Sequence, residues 1–315
     1  MEKLRVAILY GGKSAEHDVS ILSAMQIFEA IDREKFDPIP ILIGRDGKFA
    51  IEKLLSGIDV VFPVLHGPFG EDGSMQGFLE ILGLPYVGCG VASSAIAMDK
   101  ELTKKILCSE DLPTARYLAA KSASCFSFDQ VKRELGLPFF LKPVHLGSSV
   151  GIEKIEEEAQ FLPALQAALA HDCRVIFEEF IEGREVECAI LGNKSPRASL
   201  PGEIVLPQGA YYDFSLKTSR SGDVGYSVPA DLQASIQEEV KSMAIRAFQA
   251  IGGRGMARVD FFLLPDGRLY VNEINPIPGF TKTSLYPQMW EASGYEFKKI
   301  ISELIYLANS QLVKN

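Results

Sequence analysis

Residues 256–279 read MARVDFFLLPDGRLYVNEINPIPG, and this stretch decides how the C-terminal part of the chain folds. Asp266-Gly267 between two apolar runs is the mark of a β-hairpin with a two-residue turn. With that turn Pro265 faces Arg268, Asp260 faces Glu273 and Arg258 faces Asn275. Side chains alternate along a strand, so Arg258, Asp260, Glu273 and Asn275 share one face. Directly opposed Cβ atoms lie about 4.5–5.5 Å apart. Two carboxylates that close repel, and a divalent cation is the natural remedy. Carboxylate and amide oxygens suit Mg²⁺ or Mn²⁺. Asp260, Glu273 and Asn275 are therefore candidate metal ligands, provided the register holds, because a one-residue slip turns every side chain over.

Upstream lies PFFLKPVHLGSSVGI, residues 138–152. Lys142 ends an apolar strand, and Pro143 holds it extended. Gly147 to Gly151, with Ser148 and Ser149, is a small turn with two hydroxyls and several free N–H groups. Such turns cover phosphates through the backbone while a lysine supplies charge. The spacing is not that of a Walker A loop, and as a pattern alone it is equally an ordinary hairpin. RVIFEEFIEGREVE, residues 174–187, alternates Glu178, Phe180 and Glu182 with apolar Phe177 and Ile181. It could read an adenine edge and ribose hydroxyls, or it could be a solvated strand face.

Toward the N-terminus, RVAILY (5–10), PIPILIG (38–44), VVFPVL (60–65) and PYVG (85–88) read as strands. A helix over 19–31 spaces Val19, Leu22, Met25, Phe28 and Ile31 at helical intervals. Strands alternating with helices imply a parallel α/β sheet. Gly11-Gly12-Lys13 lacks the dinucleotide spacing G-x-G-x-x-G and is rejected as such a site. Glu16 and His66 each follow a strand, where ligands of parallel sheets collect, so they could share a crevice. Asp18 is a candidate helix cap. A long helix is expected over 91–111, and the polar stretch 208–228 reads as a lid. The units are placed at 1–95, 96–184 and 185–315.

Thirty-two basic and 41 acidic residues give a formal charge of −9, which argues against a nucleic-acid partner. The five cysteines form no C-x-x-C motif and read as reduced thiols. Neither a signal peptide nor a membrane span is expected, which points to the cytoplasm.

Taken together the motifs resemble the D-alanine–D-alanine ligases of the ATP-grasp superfamily across essentially the whole chain. GGKSAEHDVS, LHGPFGEDG, AMDK, KPVHLGSSVG, EEFIEGREVE, GYSVPADL, GRGMARVDFF, NEINPIPGF and SLYPQMWEASG stand in the family's order. The resemblance implies a three-domain α/β fold, an N-terminal parallel domain followed by two α+β domains that clasp ATP. It implies Lys100, Lys142 and Ser149 at the ATP phosphates, with Lys217 in the lid. Glu178, Glu179, Ile181 and Glu185 would form the adenine and ribose site. Asp260, Glu273 and Asn275 would hold two Mg²⁺ or Mn²⁺ ions. Glu16, with His66 and Ser148, would anchor the first D-alanine. Arg258 and the Gly279 N–H would donate to the tetrahedral oxyanion, and Ser284 and Leu285 would receive the second D-alanine. Thr218 stands where the family usually has Tyr, and Pro276 where Ser or Thr is common. Acceptor choice between D-alanine and D-lactate or D-serine stays open, as does a non-catalytic nucleotide-binding regulator. The partners implied are the small substrates, with no membrane; a homodimer stays open.

Overall fold

The computed structural model describes residues 2–147, 151–205 and 225–310. The N-terminal unit runs β1 (Leu4–Gly11), α1 (His17–Ala30), β2 (Phe36–Ile43), α2 (Ile51–Leu54), β3 (Val60–Val64) and α3 (Ser74–Ile81). Its sheet is parallel in the order β2-β1-β3. The loops after the neighbouring strands β1 and β3 therefore open at one edge, and they carry Glu16 and His66. The strand expected at 85–88 amounts to a single bridge, Val61 to Tyr86.

Helix α1 forms where expected; of the five spaced apolar residues Phe28 and Ile31 pack on the core, while the first three face outward. Val19, Leu22 and Met25 are 43%, 55% and 51% exposed. The buried side is Ser20, Ser23, Ala24 and Ile27. Small side chains let the helix lie close to the sheet, and the Ser20 hydroxyl serves two strand ends. Ser20 Oγ accepts from Gly11 N at 2.7 Å and donates to the Val64 carbonyl. Glu16, not Asp18, occupies the cap position, and Asp18 pairs with Arg45 at the surface.

The helix expected over 91–111 is two helices, α4 (Val91–Met98) and α5 (Lys100–Ser109). Asp99 breaks it: its backbone is extended (φ −89°, ψ 101°), and its side chain accepts from Leu102 N. An aspartate that caps the next turn gains more there than inside a helix. The central unit follows with β4 (Tyr117–Ala120), α6 (Phe128–Leu135), β5 (Phe139–Pro143), β6 (Glu153–Ile155), α7 (Glu158–His171) and β7 (Val175–Glu179). Its sheet is antiparallel, β4-β7-β5-β6, around Phe128, Phe139, Phe161 and Phe177.

The C-terminal unit contains β8 (Arg184–Gly192), β9 (Arg197–Ala198), β10 (Gly202–Val205), β11 (Gly225–Ser227), α8 (Ala234–Ala250), β12 (Gly255–Leu263), β13 (Leu269–Asn275), α9 (Leu285–Ala292) and α10 (Phe297–Asn309). Its sheet runs β11-β10-β8-β12-β13, with β9 on β8. One hydrophobic cluster joins Val6, Ile8 and Phe62 to Phe280, Tyr286, Trp290 and Ile301. A second joins Leu107 of α5 to Phe248, Val259 and Ile274. The N-terminal sheet and α5 are thus both packed onto the C-terminal unit. Most of the stretch read as a lid lies outside the described residues, and its end, Gly225–Ser227, is a paired strand.

The deciding hairpin reaches its expected pairing by another route. The turn holds three residues, not two: Leu264 N donates to Arg268 O (2.9 Å) and Gly267 N to Leu264 O (3.0 Å). Pro265 suits the first corner of a type I turn, and Gly267 takes the left-handed conformation that follows (φ +89°). That shifts the register by one residue. A bulge at Asn272 shifts it back, because Phe261 pairs with Val271 while Asp260 pairs with Glu273. Arg258 opposite Asn275 and Asp260 opposite Glu273 are restored.

Candidate functional site

The polar face of the C-terminal sheet is wider than the hairpin. Strand β8 pairs with the other edge of β12, setting Glu187 opposite Asp260 and Glu185 opposite Phe262. Glu187, Asp260 and Glu273 therefore form a row across three strands, with Glu185 one step along the same face. The repulsion in this row is met first by Arg258, not only by a cation as the sequence suggested. Its guanidinium grips Asp260 with both arms at 2.7 Å and has Glu187 Oε2 at 2.9 Å. Burial opposes that charge, but Asp260 and Glu187 outweigh it and raise the Arg258 pKa well above the ordinary value. Asn275 Nδ2 donates to Asp260 Oδ2 at 2.9 Å. Among the described residues no three His, Cys, Asp or Glu side chains are grouped to hold an ion. The donor set Asp260, Glu273 and Asn275 is oxygen chemistry that fits a hard divalent cation.

A second cluster lies on the central sheet. Glu178 is buried, and each of its oxygens meets a lysine: Oε2 meets Lys142 Nζ, and Oε1 meets Lys104 Nζ at 3.2 Å. Burial alone would raise its pKa, but the two ammonium charges bring it down to about 2. Lys142 extends from β5 over the Phe140 ring (5.6 Å). Lys100, at the start of α5, donates through Nζ to the Leu146 carbonyl at 2.5 Å, at the entrance to the Gly-Ser turn. The Glu179 carboxylate is taken by Arg116 N and Nε (2.8 and 2.6 Å), and its backbone N–H donates to the Arg116 carbonyl (3.0 Å). Ile181 is half-buried just beyond β7. Ser148, Ser149 and Lys217 lie outside the described residues.

The third cluster joins the N-terminal loops to the chain beyond β13. Glu16 and His66 do share a crevice: a Cβ on Gly67 would come within 3.0 Å of Glu16 Oε2, and Gly67 has φ +70°. The Glu16 charge acts on the His66 ring, although burial is the larger influence and holds that imidazole below its ordinary pKa. His66 Nδ1 lies 3.1 Å from the Ile277 carbonyl, so it is the donor. Its Nε2 is then an acceptor, buried and without a partner among the described residues. Two residues before Ile277 stands Asn275, and two after it Gly279. A Cβ on Gly279 would fall 2.7 Å from Ser284 Oγ, so glycine lets Ser284 pack against this backbone. Ser284 occupies the cap position of α9 without capping it through its side chain, and its Oγ bonds Thr281 Oγ1 (2.7 Å) instead. Leu285 opens the helix and is buried.

Glu71 belongs to the same crevice. As a residue it is half-buried, but its carboxylate turns inward onto Gly67 N at 2.6 Å. Desolvation, and then the Glu16 charge, push it up to about 8. The folded protein therefore keeps a proton that the unfolded chain releases above about 4.5. The stability this proton provides is complete below that value and disappears as pH rises through about 8. Wild type should lose stability relative to Glu71→Gln between about pH 5 and 8, by up to about 1.4 kcal/mol per pH unit. Urea titrations of both proteins across this range check it, and parallel profiles would contradict it.

Sequence reasoning passed over Lys104, Glu187 and Glu71. Lys104 had a signal, standing four residues after Lys100 and so on the same helix face. Glu187 had one too, two residues after Glu185 and so on the same strand face. Its neighbours come only from the pairing of β8 with β12, which no local pattern reveals.

A family model described as D-ala D-ala ligase C-terminus matches residues 106–306, and one described as D-ala D-ala ligase N-terminus matches residues 5–57 and 50–89. The D-alanine--D-alanine ligase of Solibacter usitatus (strain Ellin6076) is 45% identical over 317 residues, covering 97% of this chain and 95% of that protein. Among solved structures, the D-alanine-D-alanine ligase from Coxiella burnetii matches 100% of this chain and 96% of its own, at 35% identity and a TM-score of 0.89. The VanG D-Ala:D-Ser ligase from Enterococcus faecalis matches 98% of this chain and 100% of its own, at 34% identity and a TM-score of 0.86.

Proposed function

Because the chain belongs to the D-alanine–D-alanine ligase family, we infer that it joins two D-alanine molecules with ATP, releasing D-alanyl-D-alanine, ADP and phosphate for peptidoglycan precursor synthesis. Its three units are those of the ATP-grasp architecture. In the reaction the first D-alanine carboxylate takes the γ-phosphoryl group of ATP and becomes an acyl phosphate. The amine of the second then attacks that carbonyl, and phosphate leaves.

The observation that supports the residue roles is the hydrogen bond from His66 to the Ile277 carbonyl, which ties the N-terminal crevice to the chain between Asn275 and Gly279. Glu16 and the free acceptor His66 Nε2 suit the ammonium of the first substrate. Arg258 and the Gly279 N–H suit the oxyanion of the tetrahedral species. Ser284 and Leu285, at the start of α9, suit the carboxylate of the second substrate, because a helix N-terminus favours anions. Glu178, Glu179, Ile181 and Glu185 suit the adenine and ribose, and Lys100 and Lys142 the phosphates, a role proposed also for Ser149 and Lys217, while Ser148 is proposed beside Glu16 at the first D-alanine. Asp260, Glu273 and Asn275 would hold Mg²⁺ or Mn²⁺. Such ions, when bound, neutralise charge on the transferring phosphoryl group.

The cytoplasm fits this reading, since the cysteines are free and the reaction consumes ATP. No helix among the described residues is long and apolar enough to cross a membrane. D-alanine-dependent release of ADP tests the reading against a nucleotide-binding regulator: the ligase releases ADP only when D-alanine is present, whereas ADP release indifferent to D-alanine rejects it. Glu16→Gln should raise the KM for the first D-alanine by about tenfold or more, on the scale of one charged hydrogen bond, leaving the KM for ATP unchanged. Initial rates over both substrates measure this.

A further inference from the structure

Helix α5 is amphipathic in an unusual sense. Leu107 turns into the core of the C-terminal unit, while Lys100 and Lys104, one turn apart, reach to the central unit. Lys104 is 1% exposed, a rare position for a lysine. Its ammonium has three acceptors in reach: Glu178 Oε1 at 3.2 Å, Thr114 Oγ1 at 2.9 Å and the Ala115 carbonyl at 3.4 Å. An ammonium has three N–H groups, so Lys104 has none left to offer a ligand.

We infer that Lys104 is a positioning residue for the nucleotide, holding one oxygen of Glu178 so that the other fixes Lys142 for the phosphates of bound ATP. The inference rests on the assignment of Glu178 and Lys142 to ATP. Glu178 sits in the middle of the sheet, paired with Tyr117 on β4 and Phe140 on β5, so its backbone is fixed. What remains free is the carboxylate torsion. A single lysine at one oxygen would leave the carboxylate free to turn, and would cancel the Lys142 charge one for one. With Lys104 at the other oxygen the carboxylate is pinned at both ends. The trio then carries a net positive charge, suited to a polyanionic ligand. Lys142, bonded to Glu178 through one N–H, keeps others for the nucleotide.

The test is a double-mutant cycle of Lys104→Met and Glu178→Gln, read as the KM for ATP, the KM for D-alanine and kcat. Lys104→Met alone should raise the KM for ATP about tenfold or more, the scale of one charged hydrogen bond. The KM for D-alanine and kcat should stay within about threefold. In the Glu178→Gln background the same change should add less than about threefold, because Lys104 acts through that carboxylate. An unchanged KM for ATP, an equal factor in both backgrounds, or a matching fall in every parameter would overturn the inference. Should Lys104→Met not fold, Thr114→Val loosens the same ammonium without removing a charge. It should raise the KM for ATP severalfold, and no rise would equally overturn it. Wild type serves as the control: if it fails to release ADP with D-alanine, the ligase reading itself falls, not this one.

Discussion

Arg258→Met is expected to lower dipeptide formation by about a hundred- to a thousandfold, the loss seen when one oxyanion donor is removed, and to weaken the fold as well. The second effect follows from the surroundings of the guanidinium. Asp260 and Glu187 are 9% and 3% exposed, and Arg258 is the cation placed between them. Removing it leaves two inward carboxylates facing each other across β8 and β12, and breaking a buried pair costs about 3–5 kcal/mol. Arg258→Lys separates the two roles. It keeps a charge between the carboxylates but loses the planar fork, so stability should largely return while turnover stays low. Urea midpoints and initial rates on the two variants check this. Wild-type turnover in Arg258→Met would remove Arg258 from the chemistry.

Glu273→Gln is expected to cost activity on the same scale with the opposite sign on stability. Glu273 opposes Asp260 directly on the neighbouring strand. Neutralising it relieves repulsion in the metal-free protein, so the urea midpoint should hold or rise. Binding of the metal–ATP complex should weaken, and turnover at fixed Mg²⁺ should fall by orders of magnitude, because a carboxylate ligand to the ion is gone. One variant thus loses fold and function together, the other function alone, although both lie on one hairpin. Wild-type turnover of Glu273→Gln with Mg²⁺ would mean that the ion is held elsewhere.

That hairpin also shows how far the sequence could be read. The pairing of Asp260 with Glu273 was legible from alternation and a turn signal, yet the turn was one residue longer than expected and the bulge at Asn272 restored the register. Nothing local specifies a bulge, because its residue looks like any other in a strand. Periodicity shows α1, but of its spaced apolar residues only Phe28 and Ile31 reach the core. The contact distance to β1 selected Ser20, Ser23 and Ala24 instead. The break at Asp99 was legible as a cap and was missed inside an apolar run. The clustering of Glu16 with His66 followed from strand order in a parallel sheet. Lys104 beside Glu178, and Glu187 beside Asp260, depend on which sheet each helix and strand meets. That information is distributed over the whole chain and not held in any motif.

The acceptor is the amine of a second D-alanine, as the family implies. No histidine occurs in 208–228, where the notable departure is Thr218. An amine must lose its proton to attack, whereas the hydroxyl of D-lactate has no such proton to lose. The amide product should therefore gain as pH rises. The direct measurement is mass spectrometry of the products formed with ATP, Mg²⁺, D-alanine and equal D-lactate and D-serine, from about pH 6 to 9. Mainly D-alanyl-D-alanine is expected near pH 8, one per ADP released, with the other acceptors minor. A product at pH 8 that is mostly D-alanyl-D-lactate or D-alanyl-D-serine would contradict it.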